Sequence, residues 1–258
     1  MLNLNVHKYP KFLLRCPSLI KIAWWIRFLI EPRTRLLYKV AVNSKSKKIL
    51  DLGSGDGMYA SKLMGRNIQY TGVDRANENL GFCKKLLPEF NWILSDIESL
   101  NIDVSEYDEI WCFSVLPYLN DPTTFLEELH LKLKKGTVLK IYAPSHHYME
   151  LAIYKFLFKN KENYESLNSR KSLITINSLN SSLNKFKLIT CKKLYGRNGR
   201  LSHELFSISL ILFSQSNQLL PILGIITFAL TLPFIIILGM LDYPKSKTNG
   251  LYTEWVRL

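Results

Sequence analysis

Three glycines, Gly53, Gly55 and Gly57, alternate along the chain directly after a short apolar run. Glycine has no Cβ atom, so a loop built from it allows a ligand to lie against the backbone. The apolar run Lys48–Leu52 has the length of a strand and carries an acid, Asp51, near its end. A strand that leads into a glycine loop and then into a helix predicts a site for a nucleotide-type ligand, held by backbone N–H groups.

Two further acids follow the next two predicted strands. Asp74 comes directly after Tyr70–Val73, and Asp96 comes directly after Trp92–Ser95. Because parallel strands present their carboxyl ends at one edge of a sheet, we expect these acids and Asp51 to converge on the glycine loop. A carboxylate after the second strand can accept both hydroxyls of a ribose, and one after the third can accept the exocyclic amine of an adenine.

Strands and helices alternate in the pattern from Lys48 to Ala143, and these elements must position the acids and glycines. The predicted strands are 48–52, 68–73, 91–95, 107–113 and 137–143. The predicted helices are 57–65, 76–87 and 122–134, and residues 97–104 stay unassigned. This order predicts an α/β fold with a parallel, doubly wound sheet.

The segment Asp51–Gly57 resembles the first motif of the Rossmann-like (class I) S-adenosylmethionine-dependent methyltransferases. Asp74 and Asp96 stand where the second and third motifs of that family carry acids. The segment Val115–Pro122 is similar to the quinone-biosynthesis-type (methyltransferase type 11) branch, and the resemblance is close over residues 33–145. It implies a seven-stranded, mostly parallel sheet with an antiparallel C-terminal strand, and S-adenosyl-L-methionine as the cofactor.

The resemblance also implies which residues contact this cofactor. In chain order they are Asp51, Gly53, Ser54, Gly55, Gly57, Asp74, Arg75, Asp96, Ile97, Phe113 and Ser114. The first five surround the methionine end, where the acid contacts the ammonium group directly or through water. The next two hold the ribose and border the adenine rim, the following two hold the base, and the last two face the sulfonium.

A hydroxyl acceptor needs a general base near the methyl group that is transferred. Candidate residues are His146 and His147, just after the predicted fifth strand, and Tyr118, at a position where the resembling branch often has a histidine. The sequence leaves open whether the acceptor atom is O, N or C. The chain has no cluster of His, Cys and carboxylate residues that indicates a metal, and its four cysteines stand far apart, as is typical of a reducing compartment.

Two other functions remain as alternatives for the glycine loop. A nicotinamide-dependent enzyme requires G-x-G-x-x-G, whereas here the third glycine comes one position early and Asp51 precedes the loop. An acid at that place favours a ligand with a cationic amino-acid tail over a pyrophosphate. A catalytically silent protein that binds the same cofactor would keep the loop and the acids without turnover.

Charge is unevenly distributed along the chain. Residues 1–48 carry eleven Lys and Arg against one acid, residues 49–145 nine against fourteen, and residues 146–258 fourteen against six. Basic flanks indicate an anionic partner, either nucleic acid or the cytoplasmic face of a membrane. The N-terminal part predicts two amphipathic helices separated at Glu31–Pro32, which either pack on the domain edge or lie at a membrane interface with Trp24 and Trp25 at headgroup level.

The segment between Glu204 and Asp242 contains no charged residue. Its length would allow a membrane span, but a last strand at Leu251–Leu258 and basic residues on both sides place both of its ends on the cytoplasmic side. We therefore predict a helical hairpin that dips into one leaflet, reversed or kinked at Ser214–Gln218 or near Pro233. Buried core helices, a homodimer interface and a single span are the alternatives.

These expectations combine into one organisation of the chain. Amphipathic helices occupy residues 1–46, the S-adenosylmethionine-binding domain 47–204, the apolar hairpin 205–241, and a strand that returns to the sheet 242–258. Residues 160–184 are expected to form a loop with a short helix around 175–183, placed as a lid by analogy. The predicted function is methyl transfer to a hydrophobic or lipid-linked small-molecule acceptor on the cytoplasmic side of a membrane, by a peripheral or monotopic protein. A nucleic-acid substrate is disfavoured because it leaves the apolar segment unexplained.

Overall fold

The computed structural model of the chain divides into two compact units. The residues that it describes are 17–99, 102–144, 171–213, 219–243, 248 and 250–258. The first unit, called the sheet unit below, takes in residues 36–146, 171–193 and 250–258. The second, called the helical unit, takes in residues 1–35, 147–170 and 194–249. Since residues 194–249 stand between two segments of the sheet unit, the apolar helices are an insertion ahead of the last strand.

Seven strands form a single sheet in the order β3-β2-β1-β4-β5-β7-β6. Their bounds are β1 Lys48–Leu52, β2 Gln69–Asp74, β3 Asn91–Leu94, β4 Glu109–Phe113, β5 Val138–Pro144, β6 Phe186–Leu194 and β7 Gly250–Arg257. The first five strands pair in parallel, and β7 pairs antiparallel with β5. The predicted mostly parallel, seven-stranded, doubly wound sheet with an antiparallel C-terminal strand is confirmed.

Seven α-helices accompany the sheet within the described residues. They are α1 Pro17–Ile30, α2 Pro32–Asn43, α3 Asn77–Leu86, α4 Pro122–Lys132, α5 Ile176–Ser182, α6 Arg197–Phe213 and α7 Leu219–Met240. The break between the two N-terminal helices falls at Glu31, as predicted, because Pro32 begins the second of them. Asp121 caps α4 by accepting from the N–H groups of Thr123 (3.0 Å) and Thr124 (3.1 Å).

The prediction of a helix at 57–65 is wrong. The structure has a single 3₁₀ turn there, Ala60–Lys62, between loops. Gly57 and Gly65, at the two ends of the predicted helix, have φ of +73° and +70°, which lie outside the right-handed helical region. Of the apolar residues in this segment, Met58, Ala60 and Leu63 are buried in or beside the turn, and Met64 is 47% exposed. The loop after β1 therefore contributes backbone groups to the sheet edge without a long helix behind it.

A buried ion pair lies at the start of β4, opposite the edge that carries the glycine loop. Glu109 is buried and pairs with Lys140 of β5, whose Nζ lies 2.6 Å from its Oε1. The hydroxyls of Ser44 and Ser46 both donate to its Oε2 at 2.9 Å. Hydrogen bonds of this kind offset the cost of burying the two charges. The pair joins the two central strands and leaves the carboxyl edge of the sheet to the candidate site.

Helices α6 and α7 pack side by side and antiparallel in the helical unit. Gly199 N donates to Asp242 Oδ1 (2.8 Å), Ser202 Oγ donates to Ile235 O (2.8 Å), and the rings of Phe206 and Phe228 are 6.0 Å apart. Contacts thus move back along α7 as they move forward along α6, which is the geometry of a hairpin. Residues 214–218, which connect the two helices in the sequence, lie outside the described residues.

Helix α7 continues through Pro233, so the predicted reversal near that proline is wrong. A proline removes one N–H from a helix and commonly kinks it, but helices in apolar surroundings tolerate this. The helix is long and apolar enough to cross a membrane by length and composition alone, and it is the one described helix that meets this test. Only 17% of its most apolar 18-residue window is buried within the structure. This exposure argues against a buried core helix within one chain.

Helix α1 belongs to the same unit and meets α7 near the C-terminal ends of both. The guanidinium of Arg35 donates to Leu29 O (2.6 Å) and Gly239 O (2.5 Å), and thus caps carbonyls of both helices. Of the two alternatives for the N-terminal helices, the one that places both tryptophans at a membrane interface does not fit Trp24, which is 5% exposed, whereas Trp25 is 62% exposed. Neighbouring residues on a helix point about 100° apart, so only one of the two rings can face outward here.

Candidate active site

The glycine loop after β1 has a backbone conformation that residues with a side chain rarely adopt. Gly53 has φ of +81°, and a Cβ placed on it would lie 2.6 Å from Cγ2 of Val115. Gly55 has φ of +57° and nothing within 4 Å of its missing Cβ, so its bare side faces open space. The N–H groups of Gly53 and Ser54 both donate to Val73 O, at 2.8 and 3.0 Å. The loop is thus fixed to β2 and leaves room for a ligand beside Gly55.

Asp74, the last residue of β2, joins the glycine loop to the start of α3. Its Oδ2 accepts from Gly55 N and its Oδ1 accepts from Ala76 N, both at 2.8 Å. A carboxylate oxygen has more than one lone pair, so both oxygens can accept further hydrogen bonds from a ligand. The side chain is half-buried, which gives a ligand access to it.

Asp51 is a buried acid with one satisfied oxygen. It is 2% exposed, and the hydroxyl of Tyr70 donates to its Oδ2 at 2.7 Å. Among the described residues its Oδ1 has no hydrogen-bond partner. Burial raises the pKa of this carboxyl to about 7, the negative charge of Asp74 raises it further, and the hydrogen bond from Tyr70 acts in the opposite direction. The buried oxygen is therefore suited to a cationic donor.

Ser54 supplies a second unsatisfied polar atom in the same loop. Its side chain is buried, and within the part of the chain that the structure describes its Oγ has no partner. The Oγ lies 2.9 Å from the place that a Cβ on Gly72 of β2 would occupy. Buried polar groups in native proteins are nearly always hydrogen-bonded, so the pair formed by Asp51 Oδ1 and Ser54 Oγ indicates a polar ligand.

The third acid, Asp96, stands two residues beyond the end of β3. The strand register places Asp74 opposite Leu94, so Asp96 lies beyond it at the same edge of the sheet. Its carboxylate is exposed, and its Oδ1 accepts from Glu98 N at 3.0 Å. Ile97 is 8% exposed and packs in the hydrophobic cluster of the sheet unit, and Arg75 is exposed to solvent.

The end of β4 contains a non-glycine residue in the left-handed region. Ser114 has φ of +64°, and its N–H donates to Tyr142 O at 2.7 Å. Such backbone strain costs about 1–3 kcal/mol and is often found at functional sites. Phe113 beside it stacks on Trp111 (5.1 Å between ring centroids) and meets the edge of Tyr59 (5.6 Å).

The residues proposed as general bases are described only in part. Tyr118 is half-buried in a 3₁₀ turn, Leu116–Tyr118, just after β4. His146 and His147 lie outside the described residues. In the described part of the chain, no group of three or more His, Cys, Asp or Glu residues could hold a metal ion.

The structure brings Asp51, Asp74 and the glycine loop together, places Asp96 at the same edge, and puts Phe113 and Ser114 at the end of the adjacent strand β4. Sequence patterns missed two aromatic residues in this region, Tyr70 and Tyr59. Tyr70 is a buried residue in an apolar strand, and its position next to Asp51 depends on the β1–β2 register, in which Ile49 pairs with Tyr70. A tyrosine in a strand core is itself a signal, because its hydroxyl needs a partner when it is buried.

Comparisons with known proteins agree with this geometry. Residues 50–141 match the sequence model of the methyltransferase domain family. A ubiquinone biosynthesis O-methyltransferase from Coxiella burnetii is 29% identical over 113 residues, which cover 42% of this chain and 48% of that protein. The chain thus spans about half the length of the curated relatives that it matches.

Solved structures share the fold at low sequence identity. The cyclopropane synthase MmaA2 from Mycobacterium tuberculosis has a TM-score of 0.59 at 14% identity, covering 87% of this chain and 84% of that chain. A coclaurine N-methyltransferase bound to N-methylheliamine and SAH has a TM-score of 0.58 at 11% identity, covering 86% and 69%. The names of these two proteins indicate different reactions, so the fold leaves the acceptor open.

The sheet order, the glycine loop and the acids at the strand ends define a Rossmann-like fold of the class I methyltransferase type. Residues 50–141 match the methyltransferase domain family, and the cofactor of the class I methyltransferases is S-adenosyl-L-methionine. The site residues fit this cofactor, since its cationic amino-acid tail offers N–H donors to the two unsatisfied buried oxygens of Asp51 and Ser54.

Proposed function

We propose that this protein transfers a methyl group from S-adenosylmethionine to a lipid-soluble or lipid-linked acceptor at the cytoplasmic surface of a membrane. The observation that carries the proposal is the exposed apolar helix α7 in a chain whose residues 50–141 match the methyltransferase domain family. The methyltransferase match supports the reaction, and the helix supports the place and the kind of acceptor. The name of the ubiquinone-biosynthesis relative is consistent with a lipid-soluble acceptor.

Each residue of the site has a distinct task in this function. Asp51 binds the ammonium group of the cofactor through Oδ1, and Asp74 accepts the ribose hydroxyls while it keeps the loop in place through Gly55 N. The cofactor supplies an electrophilic methyl group on a cationic sulfur. Because methyl transfer is an in-line displacement, the protein acts mainly by alignment and by exclusion of water. Phe113 and Ser114, at the end of β4, are proposed to form the wall beside the transferred methyl group.

The hairpin of α6 and α7, called the apolar hairpin below, has a charged base and an uncharged tip. Arg197, Arg200 and Asp242 lie at the base, where the start of α6 meets the end of α7. The sequence from Leu205 to Leu241 carries no charge. Cationic side chains at the base can contact anionic lipid headgroups. This arrangement supports insertion of the tip with both ends on one side.

The exposed face of α7 supports contact of the tip with lipid. Since Ser202 contacts Ile235, the segment Leu219–Pro233 of α7 packs beside the uncharged half of α6. The opposite face of α7 supplies large exposed side chains, among them Ile222, Ile226, Leu230, Phe234 and Ile237.

A lipid-partition assay tests the proposed function. The purified protein is incubated with methyl-labelled S-adenosylmethionine and a total membrane lipid extract, and we expect label in the organic phase. Asp74→Ala should abolish most of this transfer, because the cofactor loses its ribose contacts. Label confined to water-soluble products would contradict a lipid acceptor, and cofactor binding without any turnover would support a silent binding protein.

The buried Asp51 predicts a pH-dependent affinity for the cofactor. Below a pKa of about 7 the carboxyl is neutral and cannot pair with an ammonium group, so the dissociation constant should rise about tenfold for each pH unit below 7. Cofactor binding should therefore release a proton at pH 6. Calorimetry in two buffers of different ionisation enthalpy measures this release, and Asp51→Asn should abolish both the release and the pH dependence.

The same carboxyl affects the stability of the cofactor-free protein. Its pKa is raised from 3.8 to about 7 in the folded state, so the folded protein holds a proton that the unfolded chain releases. Stability should consequently fall as the pH rises from about 4 to 7, by at most ~1.4 kcal/mol per pH unit from this group. Asp51→Asn lacks this contribution, so its stability should fall less steeply with rising pH than that of the parent protein, and equal slopes would contradict the assignment.

A further inference from the structure

The hydroxyl of Tyr70 is held beside Asp51 by the packing of its own ring. Tyr70 and Asp51 are both 2% exposed, and the hydroxyl donates to Asp51 Oδ2 at 2.7 Å. The ring contacts those of Phe90 (5.1 Å), Trp92 (5.5 Å) and Trp111 (6.0 Å). A tyrosine fixed by three aromatic neighbours has little rotational freedom, so its hydrogen bond also fixes the carboxylate plane of Asp51.

We propose that Tyr70 is a positioning residue for cofactor binding: its hydroxyl holds Oδ2 of Asp51 so that Oδ1 is presented to the ammonium group of the ligand. This inference rests on the proposed function, since it assigns a partner to Oδ1. Tyr70 does not contact the cofactor itself. It acts through Asp51, on both the orientation and the charge of that carboxylate.

The surroundings of Asp51 make this hydrogen bond important for its charge. The titratable groups that face it are Tyr70 and Asp74 from β2, Cys83 from α3 and Cys112 from β4. Asp74 disfavours a second negative charge, and burial raises the pKa of both thiols, so neither thiol carries charge at neutral pH. The Tyr70 hydroxyl is therefore the group in this set that stabilises the ionised carboxylate.

Tyr70 remains a donor over the whole pH range of interest. Burial, followed by the charge of Asp51, raises the pKa of its hydroxyl well above 10. The proton thus stays on the phenol while Asp51 titrates. A change in cofactor affinity between pH 5.5 and 8.5 can then be assigned to Asp51 and its hydrogen bond, because the ionisation of the ligand is common to all variants.

Tyr70→Phe keeps the packed ring and removes the hydroxyl, and calorimetric titration of S-adenosylmethionine from pH 5.5 to 8.5 tests the proposal. The pH midpoint of binding should move up by about one unit, equivalent to about tenfold weaker binding at pH 6.5 and little change at pH 8.5. Tyr107→Phe is the matched control, because it removes a tyrosine hydroxyl that bonds to β2 through Thr71 Oγ1 (3.2 Å). The control should leave the midpoint in place.

The outcomes separate this inference from the proposed function. If the parent protein does not bind the cofactor, the proposed function fails before Tyr70 is tested. If the parent binds and Tyr70→Phe leaves the pH midpoint of binding in place, the proposed action of Tyr70 on the charge of Asp51 is wrong, and if the affinity is also unchanged at every pH, the positioning role is wrong as a whole. Should Tyr70→Phe not fold, a fluorinated tyrosine at position 70, which is a stronger donor, should lower the midpoint, and an unchanged or higher midpoint would overturn the proposal.

Discussion

Replacing both Leu230 and Phe234 in α7 by aspartate should abolish the association of the protein with lipid vesicles. These side chains are 70% and 64% exposed, and residues four apart lie on one face of a helix. On insertion scales an aspartate near the bilayer centre costs roughly 2.5–3.5 kcal/mol, so two of them should weaken partitioning at least a hundredfold. Flotation with vesicles that contain anionic lipid measures the effect directly.

Leu131→Asp is the matched control for this experiment. Leu131 is also a large exposed apolar residue on a helix, 71% exposed on α4, but it belongs to the sheet unit. It should float like the parent protein. Equal flotation of the α7 variant and the parent would contradict insertion of the apolar hairpin. A parent that stays off vesicles and forms a dimer, which the two aspartates dissociate, would instead assign α7 to an interface between two copies of the chain.

Asp74→Ala should produce the largest loss of cofactor affinity of any single substitution in the site. The substitution removes the proposed ribose contacts, each worth about 1.5–3 kcal/mol for a charged hydrogen bond, and leaves Gly55 N without its acceptor. We expect S-adenosylmethionine to bind at least about tenfold more weakly, and more than a hundredfold if the loop also relaxes. Calorimetry gives the affinity, and thermal unfolding shows whether the fold is retained.

Asp103→Ala provides the control for the loss of an acidic turn cap. Asp103 is an exposed aspartate whose Oδ1 accepts from Ser105 N at 2.9 Å, the same kind of local hydrogen bond that Asp74 makes to Ala76. It caps a 3₁₀ turn outside the candidate site and should leave cofactor affinity unchanged. Similar affinities for Asp74→Ala and the parent would remove Asp74 from the site.

The strands show how much of the fold the sequence could predict. All five predicted parallel strands agree with the structure within two residues at each end, because buried strands are apolar runs bounded by polar turns. Acids at the ends of β1 and β2 lie together for a general reason, since parallel strands bring their carboxyl ends to one edge. The prediction of a helix at 57–65 failed because the apolar residues there have a helix-like spacing. The glycines at both ends, however, adopt a left-handed backbone conformation that does not belong to a helix.

Pairwise geometry is what sequence patterns could not supply. The partnership of Tyr70 with Asp51 depends on the register between β1 and β2, and no local pattern fixes that register. The choice between Trp24 and Trp25 as the exposed ring depends on which face of α1 packs in the helical unit. Likewise, whether the chain reverses at Pro233 or continues through it as a helix depends on the packing of α6 against α7.

Titration of S-adenosylmethionine into the purified protein at pH 7.5 tests the central claim most directly. We predict saturable binding of one cofactor per chain, retained in the Leu230→Asp and Phe234→Asp double variant and strongly weakened in Asp74→Ala. A folded parent protein that shows no saturable binding would contradict the assignment of Asp51, Asp74 and the glycine loop as a cofactor site.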